Sequence, residues 1–283
     1  MRLLVTGGAG RLGYIVSRML MEKGFTISVF DLPQVNWSHV DNLESVEKIK
    51  GDITDPQSVE KSCENIDAVV HLAALLPPRS EKALALTMKV NVTGTENILN
   101  SVNSEVPILL ASSISTYGVT ALNQPPIREG SPQKAHNNYS KSKIEAESKV
   151  TEVSNPSSIL RIAPISVADL VELPDVIPYR ADQRVEFVLV EDVAVAIVNS
   201  LETCEGKEVY NIAGGQSWQM KGDEYIKRFY DALGVEVDPV FSEEYMAVDW
   251  YDTKKSKHLG YQRTSFNRLE KKLEALGEEM GLR

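Results

Sequence analysis

A glycine-rich turn near the amino terminus constrains the fold of this chain more than any other feature. Residues 6–13 read TGGAGRLG, so four of these eight residues are glycine. The turn follows the apolar run RLLV and precedes a segment, 12–23, with apolar residues at helical spacing. A strand that passes through glycines into a helix lets an anion approach the backbone N–H groups at the positive helix end. The turn therefore predicts a βα unit that can bind phosphate.

Apolar runs and amphipathic segments alternate along the chain. The apolar runs lie at 2–6, 26–30, 67–74, 107–113 and 157–162, and the amphipathic segments lie at 12–23, 55–64, 82–102 and 138–154. Parallel strands need crossover helices, so this alternation predicts an α/β protein with a Rossmann-type doubly wound parallel sheet. Ligands of such sheets bind at the carboxyl ends of the strands.

The glycines fit two dinucleotide-binding templates. Gly8, Gly10 and Gly13 match GxGxxG. Gly7 replaces Gly8 in the alternative GxxGxxG template. The second predicted strand ends in Asp31, and an acidic residue there accepts hydrogen bonds from ribose hydroxyls and repels a 2′-phosphate, which favours NAD over NADP. The alternative is a purely structural turn with Asp31 capping the next loop.

Other strand ends supply further predicted NAD contacts. Asp52, in KGDITD, ends what should be a further strand, the third of the chain, which the apolar runs above do not include. It is placed to reach the adenine amino group, with Ile53 packing on the ring. An N-cap or an Asx turn is an equally good interpretation of Asp52. Ala73 and Ala74 end the run VVHLAA, where small residues leave room either for a cofactor or for close packing.

Tyr139 and Lys143 are four residues apart and share one helix face. A free phenol has a pKa of about 10, and a fixed positive charge beside it, joined by the cationic nicotinamide, would lower that pKa. Tyr139 would then exchange a proton with a substrate hydroxyl while hydride moves to or from the nicotinamide. Ser113, at the end of the fifth predicted strand, would bind the same oxygen. A solvated helix face is the alternative. A second YxxxK pair, Tyr251 and Lys255, has no serine-bearing strand end before it and is interpreted as a surface pair.

These arguments give a defined set of candidate residues. The predicted catalytic residues are Ser113, Tyr139 and Lys143. The predicted cofactor-binding residues are Gly7, Gly10, Arg11, Leu12, Gly13, Asp31, Asp52, Ile53, Leu72, Ala73, Ala74, Tyr139 and Lys143. No metal site is predicted, because Cys63 and Cys204 lie far apart with no CxxC or CxxH spacing.

The motifs together resemble the extended short-chain dehydrogenase/reductase family, in its NAD-dependent epimerase/dehydratase branch. The resemblance rests on the glycine turn, on the two acidic strand ends, and on HLAA, NVTGTENIL, SSISTYG, YSKSK, VEDVA and YNIAGG, and DTKKSKHLGY resembles the family's C-terminal pattern. It implies the catalytic roles given above, with Lys143 also holding the nicotinamide ribose. It also implies a structural role for Asn91 and a packing role for His71.

Two departures from the family pattern bear on the reaction. Dehydratases of this family carry an Asp-Glu pair where this chain has Ile-Ser directly after Ser113, which disfavours elimination of water. In nucleotide-sugar epimerases of this family, the substrate-lobe segment before the VEDVA helix is several dozen residues long. In this chain, only 22 residues separate Pro164 from Phe187. Arg180 and Arg184 are the cations in this segment that could bind a diphosphate.

The alternation of apolar runs and amphipathic segments weakens after residue 163, and the domain organisation is predicted from this change. We expect residues 1–163 to form an NAD-binding Rossmann domain, to which 184–213 return. Residues 164–183 and 214–283 are expected to form a smaller C-terminal substrate lobe.

Three functions remain open. The resemblance places an epimerase acting on a nucleotide sugar first, ahead of a dehydrogenase or reductase of a smaller alcohol or ketone. A non-catalytic nucleotide sensor comes last, because it needs no tuned phenol. The helices at 82–102 and 138–154 resemble the pair through which this family forms homodimers. An equally good interpretation is that Leu84, Leu86, Met88 and Val90 face only the sheet.

Charge and hydropathy limit the remaining partners and the compartment. The net charge of −10 argues against nucleic acid as a partner. The short apolar run at the start argues against a signal peptide or a membrane span, so we expect a cytoplasmic protein.

Overall fold

The computed structural model describes residues 1–169 and 173–283. Its strands are β1 (Arg2–Thr6), β2 (Thr26–Asp31), β3 (Glu47–Lys50), β4 (Ala68–His71), β5 (Ile108–Ser113), β6 (Ser157–Ile162), β7 (Ile165–Ser166), β8 (Arg184–Val185), β9 (Val188–Leu189), β10 (Lys207–Ile212) and β11 (Met220–Lys221). Its α-helices are α1 (Arg11–Glu22), α2 (Ser38–Asp41), α3 (Pro56–Ser62), α4 (Arg79–Lys82), α5 (Leu84–Met88), α6 (Gly94–Ser101), α7 (Asn138–Glu152), α8 (Val190–Glu202), α9 (Gly222–Leu233) and α10 (Phe266–Glu279). A π-helical segment, Lys89–Thr93, joins α5 to α6, and 3-10 turns lie at Ile114–Tyr117, Gln216–Trp218 and Lys255–Leu259.

Seven strands form one parallel sheet in the order β10-β6-β5-β4-β1-β2-β3. Strand β1 lies between β2 and β4, and Thr6 pairs with Phe30 on one side and with His71 on the other. The strand order reverses direction here, so the crevice beyond the carboxyl ends of β1 and β4 is where a ligand is expected. The predicted doubly wound parallel sheet is confirmed.

Helices cover both faces of the sheet. Along β1, alternating side chains send Leu3 and Val5 to one face and Leu4 to the other. The first face forms a core with α1 and α8, and the second forms a core with α3, α6 and α7. Because both faces are buried, the strands are nearly continuous apolar runs rather than alternating ones.

A third apolar core lies in the C-terminal lobe, where Trp218 and Phe266 pack edge to face. Strand β8 pairs antiparallel with β11, and β7 pairs parallel with β9. Residues 184–189 therefore pair outside the seven-stranded sheet, whereas α8 packs on that sheet and β10 forms its edge. The predicted lobe segment 164–183 includes residues 170–172, which lie outside the described residues. Within the described residues, no helix combines the length and apolarity needed to cross a bilayer.

A buried histidine links the ends of β1 and β4 to the start of α6. Thr95 Oγ1 donates its proton to the Asn91 carbonyl (2.7 Å), so it accepts from His71 Nε2 (3.0 Å). His71 Nδ1 then carries no proton and accepts from Thr6 Oγ1 (2.7 Å), which itself accepts from the Ala73 N–H (3.2 Å). Burial, together with the Lys143 charge, lowers the pKa of His71 from 6.5 to about 3. The neutral imidazole is fully paired and holds the β1 and β4 ends together.

This histidine makes stability depend on pH with a definite sign. Because the pKa of His71 is depressed on folding, the unfolded chain binds a proton between pH 6.5 and about 3 that the folded chain does not. Stability is therefore lost as the pH falls through this window, by about 2 kcal/mol between pH 7 and pH 5. We expect His71→Gln to remove most of this loss in urea unfolding followed by circular dichroism.

Carboxyl groups contribute equally to the pH dependence of the unfolding free energy in the wild type and in His71→Gln, so their contributions cancel when the two are compared. His39→Gln, at an exposed position, is the control. Equal loss of stability in the wild type and in His71→Gln would contradict the assignment.

Candidate active site

The glycine turn packs backbone against backbone. Gly7 has a φ of +68°, and a Cβ built on it would lie 2.8 Å from the Ala73 nitrogen. A Cβ on Gly13 would lie 2.4 Å from the Gly7 carbonyl oxygen. Gly10 differs, because a Cβ built on it would lie 3.3 Å from the same oxygen and the residue is exposed. The protein's own packing therefore requires Gly7 and Gly13, while Gly10 leaves the turn open to a close-approaching anion.

Asp31 ends β2 directly above this turn. Its carboxylate accepts hydrogen bonds from the Ala9 N–H (3.1 Å) and the Leu32 N–H (2.8 Å). Burial raises the pKa of Asp31, and these two backbone contacts oppose the rise. The carboxylate is thus fixed beside the glycine turn, where the ribose of a bound adenosine would lie.

The other predicted contacts near the adenosine end lie in different environments. Asp52 follows β3 by two residues, is exposed, and accepts from the Thr54 N–H (2.8 Å) in an Asx turn. Ile53 is buried against Gly94 at the start of α6. The adenine contacts of both residues remain predictions.

Residues 11 and 12 open helix α1. Arg11 is exposed, and its Nη1 donates to both carboxylate oxygens of Asp169 (2.8 and 2.9 Å). Leu12 packs against the core beneath α1. The Arg11 guanidinium is therefore already paired with Asp169, which follows β7.

The segment after β4 runs past the glycine turn. The Leu72 N–H donates to the Thr6 carbonyl (3.1 Å), and the Ala73 N–H donates to Thr6 Oγ1. Leu72, Ala73 and Ala74 are each partly exposed. This segment lines the crevice with small or partly exposed side chains.

Ser113 and Tyr139 meet at the carboxyl edge of the sheet. Ser113 ends β5, and its Oγ accepts from the Ser115 N–H (3.1 Å). Desolvation raises the pKa of the Tyr139 phenol, and the nearby Ser113 side chain opposes this rise. In the protein alone, the pKa of Tyr139 is therefore raised and the phenol keeps its proton at neutral pH. The predicted lowering by Lys143 together with a bound nicotinamide stays a prediction.

Lys143 lies beneath this pair and is 3% exposed. Its Nζ donates to the Ala111 carbonyl (2.8 Å) and lies 5.8 Å from the centre of the Tyr139 ring. Desolvation lowers the pKa of Lys143 to about 8, and the charge of Glu147 opposes this change. The structure thus brings the three predicted catalytic side chains together around one buried ammonium group.

The start of α7 is held by residues that the sequence did not single out. Asn137 and Ser140 form a reciprocal capping box. The Glu81 carboxylate accepts from the Asn138 N–H (3.0 Å) and the Tyr139 N–H (3.1 Å), as a negative charge at a helix N-terminus should. Glu81 is 58 residues before Tyr139, so no local pattern could reveal this contact.

Asn91 fixes the segment after β4 to α7. Its amide exchanges two hydrogen bonds with the Leu75 backbone (2.6 and 3.1 Å) and donates to Ser142 Oγ (2.8 Å). Ser142 Oγ in turn donates to the Tyr139 carbonyl (2.7 Å). These contacts agree with the structural role that the resemblance implies for Asn91.

Both candidate diphosphate cations are already paired. Arg180 bonds Asp182 through Nε (2.9 Å). Arg184 bonds Asp249 through Nε (2.6 Å) and donates to the Ala121 carbonyl (3.1 Å). The two guanidinium groups are therefore neutralised by carboxylates.

The interpretation of Tyr251 and Lys255 as a surface pair is wrong. Tyr251 is 3% exposed, its hydroxyl accepts from the Asp249 N–H (2.9 Å), and its ring stacks on Tyr117. Lys255 instead forms an exposed ion pair with Glu208. The chain after residue 248 turns inward toward β10, which local spacing does not reveal. Across residues 1–169 and 173–283, no group of three or more His, Cys, Asp or Glu side chains could hold a metal ion.

Sequence comparisons place this site among known proteins. The model of the 3-beta hydroxysteroid dehydrogenase/isomerase family matches residues 4–163. The UDP-glucose 4-epimerase of Halalkalibacterium halodurans is 33% identical over 152 residues, which are 52% of this chain and 44% of that protein. Short-chain dehydrogenase/reductase family 42E member 1 of Xenopus laevis is 27% identical over 256 residues, with 80% and 64% covered.

A third relative, the 2-alkyl-3-oxoalkanoate reductase of Stenotrophomonas maltophilia, is 36% identical over 101 residues, covering 35% of this chain and 28% of the reductase. The chain spans less than half the length of the first curated relatives that it matches.

Solved structures match along the whole chain. The UDP-glucose 4-epimerase of Thermus thermophilus, solved with NAD, superposes with a TM-score of 0.82 at 20% identity and 99% coverage of both chains. The dTDP-glucose 4,6-dehydratase of Streptomyces venezuelae, also solved with NAD, gives 0.83 at 23% identity and 100% coverage of both. These similarities establish the fold, and the family model covers more than half of the sequence. The chain therefore belongs to the extended short-chain dehydrogenase/reductase family, as its match to the 3-beta hydroxysteroid dehydrogenase/isomerase model shows.

Proposed function

We propose that this protein is an NAD-dependent enzyme that interconverts a secondary alcohol and a ketone. The observation that carries the proposal is the meeting of the Tyr139 phenol with the Ser113 side chain above the buried Lys143 ammonium. This arrangement offers one oxygen atom of a substrate a proton donor, a hydrogen-bond partner and a nearby positive charge.

The residues at the crevice fit NAD. Gly10 leaves the turn open for a pyrophosphate, and Asp31 presents a carboxylate to the adenosine ribose. Lys143 would hold the nicotinamide ribose, and the segment from Leu72 to Ala74 would face the dinucleotide. When bound, NAD accepts hydride from an alcohol carbon and returns it to a ketone carbon.

The residues of the chain handle the proton. Because the pKa of Tyr139 is raised, the phenol is ready to donate a proton to a ketone oxygen at neutral pH. In the reverse direction it must accept the alcohol proton, so oxidation needs the deprotonated phenol. Ser113 holds the oxygen in line during either transfer.

We place nucleotide-sugar epimerisation first among the substrate classes. UDP-glucose 4-epimerases are among the sequence relatives, and several structures that match along the whole chain bind nucleotide sugars. An epimerase oxidises one sugar carbon, lets the ketone present its other face, and reduces it again. Tyr139 and Ser113 contact only the oxygen, so they can serve both half-reactions.

A smaller alcohol or ketone is the second candidate, and a specific observation favours it. Arg180 and Arg184 are held by Asp182 and Asp249, so neither is free to neutralise a diphosphate. The 2-alkyl-3-oxoalkanoate reductase shows that a ketone reductase also occurs among the relatives.

Tyr139→Phe tests the catalytic assignment. Loss of the proton donor should lower turnover by about 10²- to 10⁴-fold, while NAD affinity stays nearly unchanged because little packing is lost. Turnover is followed by NADH absorbance or product chromatography, and NAD binding by calorimetry. Tyr210→Phe, on the edge strand of the sheet, is the matched control. Near-normal turnover of Tyr139→Phe would show that the phenol is not the proton donor.

The nucleotide released on denaturing freshly purified protein separates the two candidates. An epimerase regenerates its cofactor in each cycle and gains from retaining it, so near-stoichiometric NAD supports epimerisation. An empty protein that binds NAD reversibly supports the dehydrogenase. A protein that binds no nicotinamide nucleotide would refute both candidates.

We also propose a homodimer. Leu84 and Leu86 on α5 are 41% and 49% exposed, in the segment 82–102 that the family resemblance assigns to subunit contact. Sedimentation equilibrium should give twice the 31.3 kDa chain mass, and Leu86→Glu should give the monomer mass. A monomeric wild-type protein would exclude the dimer.

A further inference from the structure

A buried carboxylate lies one helical turn beyond Lys143. Glu147 is 4% exposed, and its carboxylate accepts from three separate parts of the chain. Ser112 Oγ donates to it from β5, Gln133 Nε2 (2.8 Å) from the loop before α7, and Arg161 Nη2 (2.7 Å) and Nε (3.1 Å) from β6. One side chain thus joins two neighbouring strands and a loop to the helix that carries the site.

The partner cation is equally enclosed. The Arg161 and Glu147 side chains are 7% and 5% exposed. The Arg161 Nη1 also donates to the Tyr117 hydroxyl (3.0 Å) and the Glu129 carbonyl (2.9 Å), and its guanidinium lies 4.9 Å from the Tyr117 ring. A buried ion pair is costly to desolvate and is weak evidence for stability alone. The Glu147–Arg161 pair lies next to the site formed by Ser113 and Lys143.

The carboxylate contacts both sides of the reaction site. Ser112 directly precedes Ser113, so its bond to Glu147 fixes the strand end that presents Ser113. On the helix, Glu147 follows Lys143 by four residues and therefore lies on the same face. Movement of the carboxylate would displace the strand end and the helix relative to each other.

Few charges face the Lys143 ammonium. From β4 it faces His71, which is neutral, and from β5 it faces only the Ala111 carbonyl, to which it donates. On its own helix it faces the Tyr139 phenol and the charge of Glu147. Glu147 is thus the negative charge that counters desolvation of this ammonium.

We propose that Glu147 is a positioning residue of the site, which places a buried carboxylate on the Lys143 face of α7 and holds the Ser113 strand end against that helix. The proposal rests on the proposed function of Lys143, and it assigns to the Glu147–Arg161 pair a task that structural support alone does not require.

The pair controls the proton on Lys143 in a predictable direction. The pKa of Lys143 is about 8, so the ammonium is retained at neutral pH by a narrow margin. Glu147→Gln removes the opposing negative charge and leaves the Arg161 charge unpaired. Both changes disfavour the ammonium, and we expect the pKa of Lys143 to fall by on the order of one unit or more.

The test is a pH titration of Lys143 by NMR in the full-length, cofactor-free protein. Lysines carry a 13C label at Cε, and Lys143→Arg identifies the signal. Wild type, Glu147→Gln and the control Glu145→Gln are compared. Glu145 lies on the same helix but is partly exposed, so its charge is screened by water and the Lys143 titration should not move.

A lowered pKa of Lys143 in folded Glu147→Gln supports the proposal, and an unchanged or raised pKa overturns it. If Glu147→Gln does not fold, the variant Glu147→Gln/Arg161→Gln, which buries no unpaired charge, takes its place. Because the Arg161 charge is also removed there, a smaller lowering of the Lys143 pKa is expected, and an unchanged or raised pKa again overturns the proposal. The titration reads Lys143 directly and needs no turnover. Its failure is therefore distinct from a failure of the proposed function, which the Tyr139→Phe assay reports.

In the active enzyme, the same change should lower the pH above which kcat falls, by the same amount as the Lys143 titration. Activity of Glu147→Gln should recover on acidification, which a general loss of structure would not produce. A pH profile with an unshifted alkaline limb would overturn the proposal.

Discussion

The close approach of three backbone segments at the end of β1 determines how the rest of the site is built. Gly7 contacts the backbone at Ala73, and the start of α1 at Gly13 lies against the Gly7 carbonyl. A single methyl group at either glycine would force these segments apart, so helix α1 could no longer begin at the mouth of the crevice. The segment after β4 depends on the same contact, and through Asn91 and Glu81 it reaches α7. Cofactor crevice and reaction site are thus parts of one packed unit.

The sequence predicted the elements whose signals are local. The predicted strand 157–162 is β6, and the predicted helix 138–154 is α7 (Asn138–Glu152). The run 82–102 contains α5, the π-helical segment and α6, because its apolar spacing continues through all three. The parallel order followed from alternation alone, since each crossover helix forces the next strand to run in the same direction. Ser113, Tyr139 and Lys143 could be placed because each sits at a strand end or helix start whose position was already determined.

Contacts between distant segments could not be predicted. Arg184 was interpreted as a cation available to substrate, but Asp249, 65 residues away, neutralises it. Tyr251 was interpreted as exposed, but its ring stacks on Tyr117. The pKa of Tyr139 moves upward because burial is a property of the folded chain and leaves no trace in spacing. Which charged side chains of the C-terminal lobe are paired can therefore be read only from the tertiary structure.

The bond from Glu81 to the first amides of α7 has a consequence for how such enzymes can be recombined. The segment that passes the dinucleotide crevice is the same segment that caps the catalytic helix, so the two cannot be exchanged separately between relatives. A chimera that takes residues 72–91 from one parent and 137–147 from another would mismatch Asn91 with Ser142 and Glu81 with the helix start. Crossover points that keep these two segments from one parent leave the phenol in register with the crevice. Residues 72–91 and 137–147 must therefore come from the same parent, although they are distant in sequence.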